Sequence, residues 1–292
     1  MPGASESLNR MLYESEWCAL GLWNCGPRNV LWQQENVIGD RPVIAIPWTS
    51  VVIHRAGAEN ALVNPNWAVF YRPGEPYERR LVSGIGDRCA FFQPSAELIH
   101  RALESVGLEG RPGAFPFSLG PGVSLATRAH HVLAASIARG RLTGRIEIES
   151  ALTEIVSTLV ASAGRTIRRA PAGRAAGTRR AHRDLVDAVR MTLCRSFDEP
   201  GGVRSLGIEE VASAVHASAF HMCRVFKQEI GMTIGQYAMR LRLRSAAERV
   251  AWTRQSMTEI AQQFGFSSHA HFTSAWTAEF GSPPTALRQA IS

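Results

Sequence analysis

The chain has 292 residues, of which 45% are hydrophobic, and carries a formal net charge of +7 at pH 7. That length suits two domains. No apolar run approaches the ~18 residues that a membrane-spanning helix needs, and the start MPGASESLNR lacks the basic and apolar segments of a secretory signal, so a cytoplasmic protein with no membrane partner is expected. The five cysteines, Cys18, Cys25, Cys89, Cys194 and Cys223, show no CxxC spacing and read as reduced thiols, with neither a disulfide framework nor a zinc site. Lys and Arg number 14 against 15 Asp and Glu in residues 1–164, 4 against 0 in 165–177, and 14 against 10 in 178–292. The excess positive charge therefore lies wholly in the second half, which predicts a polyanionic partner there.

Residues 1–164 are expected to form one domain, with a β part at about 14–94 and a helical part at about 95–164. In the β part, VLWQQENVI, PVIAIPW, VVIHRAG, WAVFYRP and CAFF are separated by Gly, Pro, Asn and Asp at intervals of roughly eight to twelve, the pattern of a small antiparallel sandwich or barrel. Aromatic residues alternating along strands are usually core, but a barrel of this size has room for one small ligand. His54, Trp67, Tyr71 and Tyr77 are the candidates for touching it. His54 stands alone in its strand, without the second histidine of a metal cluster, so no metal and no cofactor are expected. The helical part predicts helices over PSAELIHRALESVG, LATRAHHVLAASIARG and GRIEIESALTEIVSTLVASAG. The last carries an apolar stripe of Ile146, Ile148, Ala151, Leu152, Ile155, Val156 and Leu159. The pair His130 and His131 has no carboxylate or cysteine at ligand spacing.

Residues 165–180, RTIRRAPAGRAAGTRR, are rich in Ala, Gly and Arg and read as a flexible basic linker. Residues 181–292 then contain one pattern written twice. Glu210, Val211, Ala212 and Val215 correspond to Glu259, Ile260, Ala261 and Phe264, offset by 49; Ser218, Met222, Phe226 and Gly231 correspond to Ser268, Phe272, Trp276 and Gly281, offset by 50. Each copy predicts a short helix, a turn and a second helix. Ala212 and Ala261 let two backbones approach, while His216 and Gly265 take the turn, where glycine is the easier residue. Ser218 and Ser267 or Ser268 are placed as N-caps, and Ser256 with Glu259 forms a capping box.

In the first copy Met222, Val225 and Phe226 make an apolar stripe, which leaves Phe220, Cys223, Arg224 and Lys227 on the opposite face. In the second copy Phe272, Ala275 and Trp276 are the stripe, and Ala270, His271, Ser274 and Thr277 face outward. Such second helices enter a DNA major groove. Between the copies, TIGQYAMRLRLRSAAERVAWTRQ opens on the capping box Thr233/Gln236 and predicts about twenty helical residues, roughly 30 Å. That length is close to the ~34 Å between major-groove faces on one side of B-DNA. Arg240, Arg242, Arg244 and Arg249 lie along it, for phosphates or for structural ion pairs.

The stretch from about Ser205 to Arg288 resembles the DNA-binding domain of the AraC/XylS family of transcription regulators. The family signature is matched by Ile260, Ala261, Gly265, Phe266, Phe272, Gly281, Pro283 or Pro284, and Arg288, with Trp276 in place of the usual Phe. The resemblance implies base contacts from Phe220, Cys223 and Arg224 and from Ala270, His271 and Ser274; an arginine is common at the last position. A bidentate Arg–guanine contact is worth about 1 to 3 kcal/mol of discrimination, so the first reading helix, through Arg224, is expected to carry most specificity. The turn Arg72-Pro73-Gly74-Glu75-Pro76 is similar to one in the cupin-like sensing domain of these regulators. It implies an α+β two-domain chain: a cupin-like antiparallel β-barrel with accessory helices, then an all-α tandem helix-turn-helix. It also implies a small-molecule effector, a homodimer formed through the helices after the barrel, and RNA polymerase as a partner of an activator. Two alternatives use the same module: a bifunctional DNA-repair enzyme, which needs a zinc-bound cysteine cluster, and a nucleoid-associated protein without sequence preference. The expected reading assigns no catalytic residue.

Overall fold

The computed structural model describes residues 8–111, 113–168, 176–197, 203 and 205–291. The chain divides into two units, Met1–Arg169 with Thr285–Ser292, and Ala170–Pro284. The fold is α+β: antiparallel sheets come first, and the second half is helical.

The first unit contains two sheets. One is six-stranded, in the order β1 (Asn9–Tyr13), β2 (Cys18–Cys25), β9 (Asp87–Pro94), β4 (Val43–Pro47), β7 (Trp67–Tyr71), β10 (Leu119–Pro121). The other is four-stranded, in the order β3 (Asn36–Val37), β8 (Pro76–Leu81), β5 (Val51–His54), β6 (Ala61–Val63). All the pairings are antiparallel. The run VLWQQENVI is not one strand: Val30–Gln33 form a 3-10 turn capped by the Asn29 side chain, and only Asn36–Val37 pair.

The six-stranded sheet is buried on both faces at β4, which explains why VIAIP is continuously apolar where a half-exposed strand would alternate. Its outer face packs under α2 (Ser124–Ala138) and α3 (Arg145–Arg168), and α1 (Ala96–Glu104) packs on α3. Phe70, pointing that way, meets Phe115 and Phe117 edge-on at 5.0 and 4.7 Å. Ile148, Leu152, Ile155, Val156 and Leu159 of α3 are buried, but Ile146 is 82% exposed. It lies one residue into the helix, outside the stripe that covers the sheet. Gly21 in β2 faces Phe91 in β9; a Cβ there would stand 2.2 Å from the Phe91 ring, so glycine is what lets that ring lie across the inner face.

Residues 165–168 of the stretch read as a linker complete α3, and 176–180 begin α4 (Ala176–Arg195); residues 169–175 lie outside the described residues. The second unit continues with α5 (Ile208–Ala214), α6 (Ala219–Ile230), α7 (Ile234–Trp252), α8 (Met257–Gln263) and α9 (His269–Phe280), and α10 (Pro284–Ala290) follows. No described helix is long and apolar enough to cross a membrane.

The pair His130 and His131 on α2 is fully buried against Trp48, whose ring centroid lies 6.1 and 5.0 Å from theirs. The Trp48 indole N–H donates to His130 Nε2 at 2.9 Å, while His130 Nδ1 faces the Ala126 carbonyl at 3.1 Å. An indole N–H only donates, so Nε2 must be unprotonated and the ring is neutral, with its proton on Nδ1. Burial pushes the His130 pKa down to about 4, and burial together with its neighbour lowers that of His131. Between an unfolded pKa near 6.5 and this lower folded value, the unfolded chain binds more protons, so stability falls as pH falls through that window. His130 alone should remove about 3 kcal/mol between pH 6.5 and 4. Urea midpoints of the full chain across that range check this, and the His130→Gln variant should give a shallower slope.

Candidate nucleic-acid interface

The two helix-turn-helix copies are built by the same hydrogen bonds. After α5 the Ala217 N–H bonds the Ala212 carbonyl at 3.0 Å, and after α8 the Phe266 N–H bonds the Ala261 carbonyl at 2.9 Å. These closures require a left-handed residue between the helices, and His216 (φ 52°) and Gly265 (φ 70°) supply it. His216 is the one non-glycine residue with positive φ among the described residues. Gly265 is required for a second reason, because a Cβ there would lie 2.5 Å from the Val203 carbonyl oxygen.

Each second helix then starts on a serine cap, Ser218 accepting from the His221 N–H and Ser268 from the His271 N–H. Each ends on a left-handed glycine, Gly231 and Gly281. Ser268, and not Ser267, is the cap; the Ser267 hydroxyl bonds His271 Nδ1 at 3.1 Å instead.

Helix α6 buries Met222, Val225 and Phe226 against Val211, Ala212 and Tyr237. Phe220 is 81% exposed, and Arg224 and Lys227 are exposed beside it. Cys223 departs from expectation: it is half-buried and packs against the core of this unit, because its position lies between the reading face and the stripe. His221, which the sequence reading passed over, is exposed on that face with Nδ1 3.4 Å from Arg224 Nη2. Its i, i+3 spacing from Arg224 was the available signal.

On α9, Phe272, Trp276 and Phe280 are buried, while Ala270, His271, Ser274 and Thr277 are exposed. The His271 ring is braced on the turn by Ser267 and lies edge-on to Phe266 at 5.4 Å. The second face thus presents two small side chains, Ala270 and Ser274, and an immobilised imidazole, whereas the first presents an aromatic ring and a guanidinium.

Helix α7 joins the copies. Its 19 residues span about 28 Å at 1.5 Å per residue, and the Thr233/Gln236 capping box opens it. Three of its arginines, Arg240, Arg242 and Arg244, have partners within the protein. Arg244 is buried, its Nε and Nη2 each 3.0 Å from Glu279 Oε1, and Arg240 Nε lies 3.2 Å from Oε2 of the same carboxylate. Arg242 donates to the Ser205 hydroxyl at 2.7 Å.

Of the four residues named as candidate ligand contacts in the first unit, Tyr71 and Tyr77 line a cavity of about 450 Å³ inside the sheets. His54 and Trp67 do not line it. His54 falls on the outward parity of β5, opposite Glu78, and its Nδ1 meets Asn60 at 2.7 Å. Trp67 opens β7 at the Pro121 end, two residues before the wall begins at Val69. Among the described residues, no group of three or more His, Cys, Asp or Glu side chains is placed to hold a metal ion.

A sequence profile described as a helix-turn-helix domain matches residues 211–290. The probable transcription factor PqrA of Proteus vulgaris is 34% identical over 82 residues, 28% of this chain and 67% of that protein. The HTH-type transcriptional activator RhaS of Escherichia coli O9:H4 is 31% identical over 102 residues, 35% of this chain and 37% of that one. Among solved structures, a transcriptional regulator with an AraC-type DNA-binding domain from Chromobacterium violaceum is 26% identical, with a TM-score of 0.34, and covers 39% of this chain and 96% of that one. The chain spans about a third of the length of the first curated relatives that it matches.

Breaking a buried ion pair leaves an uncompensated charge and is typically worth about 3 to 5 kcal/mol. Glu279→Gln should therefore lower the stability of the helical unit by about 3 kcal/mol, nearly independently of salt, as read by chemical denaturation at low and high ionic strength. A loss below about 1 kcal/mol, the range of a surface pair, would show that Arg244 does not depend on this carboxylate.

Proposed function

Because the chain belongs to the AraC/XylS family of transcription regulators, we propose that it is a sequence-specific DNA-binding regulator of the activator type. In this reading α6 and α9 enter successive major-groove segments of double-stranded DNA, and the N-terminal domain, residues 1–164, responds to a small-molecule effector. The single observation that carries the reading is the pair of capped helices with exposed outer faces, repeated in register on either side of α7. The spacer length of about 28 Å suits two groove faces ~34 Å apart. A homodimer in the cytoplasm that contacts RNA polymerase completes the proposal. The dimer surface is assigned to the helices outside the barrel, where Leu125 and Ile146 stand 54% and 82% exposed. No residue is assigned a catalytic role.

The two faces should divide the work unequally. Phe220 is placed to meet a thymine methyl and Arg224 a guanine edge, with Lys227 one turn further along the same face. Ala270, His271 and Ser274 suit positioning and weaker discrimination.

Genome-wide mapping of bound sites tests the proposal directly; no enrichment over background would sink specific regulation, and stoichiometric zinc in the purified protein would favour the repair-enzyme reading. On the site so found, Arg224→Ala should cost about 1 to 3 kcal/mol of discrimination at one base position, while Ser274→Ala should change it by less than about 1 kcal/mol. Titrations of matched and single-substituted duplexes at fixed salt separate the two. Equal losses from both variants would overturn the unequal assignment.

A further inference from the structure

The cavity between the two sheets has an unusual distribution of charge. Its wall is largely aliphatic, with Val43, Ala45, Val51, Ile53, Val63 and Val69 pointing inward. On one side the period-two alternation of β8 also points Tyr77 and Arg79 inward. Arg79 is 3% exposed. Its Nη1 lies 2.5 Å from Asp87 Oδ2 and its Nη2 3.2 Å from Asn36 Oδ1. Its guanidinium carbon is 4.8 Å from the Trp23 ring centroid and 5.3 Å from that of Trp32. The one cation lining the cavity is therefore already neutralised by a buried carboxylate and held by aromatic faces.

The hydroxyls are in the opposite condition. Tyr71 is 6% exposed and its ring lies 5.0 Å from that of Tyr77, yet neither hydroxyl has a hydrogen-bond partner among the described residues. Both side chains line the cavity, so their hydroxyls are available to a molecule inside it. Burial keeps both phenols protonated, pushing the Tyr77 pKa up to about 12 and that of Tyr71 well above its ordinary value, so each is a donor at neutral pH.

We propose that this cavity binds an uncharged, largely apolar molecule carrying a hydrogen-bond acceptor, which Tyr71 and Tyr77 read through their hydroxyls while its hydrocarbon part lies against the aliphatic wall. This rests on the reading of the first unit as the sensor and adds the chemical class of its effector. A carboxylate ligand would have to take Arg79 from Asp87 and leave that carboxylate buried and unpaired; an ammonium ligand would have to turn Asp87 away from Arg79, or settle for Glu35 on the exposed rim, where a pair is screened by water and worth little. A neutral acceptor satisfies both hydroxyls and leaves the ion pair intact. At about 450 Å³, the space is within the range of small-molecule sites.

The test uses the full chain and three probes sharing one ring: acetophenone, benzoate and benzylammonium, followed by calorimetry. Acetophenone is expected to bind at least about tenfold more tightly than either ion, and Tyr71→Phe combined with Tyr77→Phe should weaken it about ten- to a hundredfold, two tyrosyl hydrogen bonds' worth. Both variants keep their rings, and an unchanged thermal midpoint verifies that the barrel is intact. Benzoate or benzylammonium binding as tightly, no binding by acetophenone, or an unchanged affinity in the double variant would each overturn the assignment. A parallel titration of DNA separates the premise: acetophenone that binds with this selectivity but leaves DNA affinity unchanged sinks the sensor reading alone. DNA affinity that responds to benzoate instead keeps the sensor and sinks the neutral-ligand class.

Discussion

Helix α7 is the constraint on which the DNA-facing half of the chain depends. Ten of its nineteen residues are buried, and they fall all round the circumference, from Ile234 and Tyr237 to Val250 and Ala251. That is the pattern of a helix enclosed by protein, not of one lying on a surface. Helix α6 packs on it from one copy, α8 and α9 from the other. A spacer held this way cannot rotate to favour one reading helix without moving the other. Close approach from several sides asks for small residues, and Ala246, Ala247 and Ala251 provide them. Where a long cation falls on the enclosed face, it must be neutralised locally, and Glu279 reaches back from α9 to Arg244 for that purpose.

The first unit solves a different problem. Its six-stranded sheet is sealed by helices outside, so the inner face is free to enclose space without exposing the sheet to water. The wall residues are short, mostly Val, Ala and Ile, and Gly21 gives up its side chain altogether to make room for the Phe91 ring. Polar groups inside are balanced against one another: Arg79 with Asp87, and Arg55 with Glu75 at 3.1 Å across the turn that begins at Arg72.

Legibility in the sequence followed the physics of each element. Turns and caps were readable because they use residues with local jobs: Ser218, Thr233, Ser256 and Gly265 act through their own backbone neighbourhood, and all four do so in the structure. The helices after the barrel were readable from their 3.6-residue period. Strand β8 was not, since PYERRL looks solvated until one knows that Arg79 points into an aromatic cage, a long-range fact supplied by Trp23 and Asp87. Strands β1, β2, β6 and β10 were missed for a related reason: β6 and β10 are three residues long and take their identity from the partner they extend. His54 and Trp67 were drawn in by residue type, whereas strand parity and position decide what faces the cavity. The exposed faces of α6 and α9 were legible because burial there is set by one stripe, and Cys223 is half-buried because it sits at the edge of that stripe.

The close contact at Gly265 has a consequence for how the two copies can be taken apart. Val203, upstream of the first copy, lies with its carbonyl against that glycine, and its N–H bonds the Gln263 carbonyl at 2.9 Å, while Ser205 is tied to Arg242. The leader of the first copy is thus fastened to the turn of the second, like a strap buckled on the far side. The halves are therefore not interchangeable cassettes. A fragment ending after α7 would lose the anchorage of its own entry segment along with its neighbour, and a graft of the second copy alone would carry an unfilled seat where Val203 belongs.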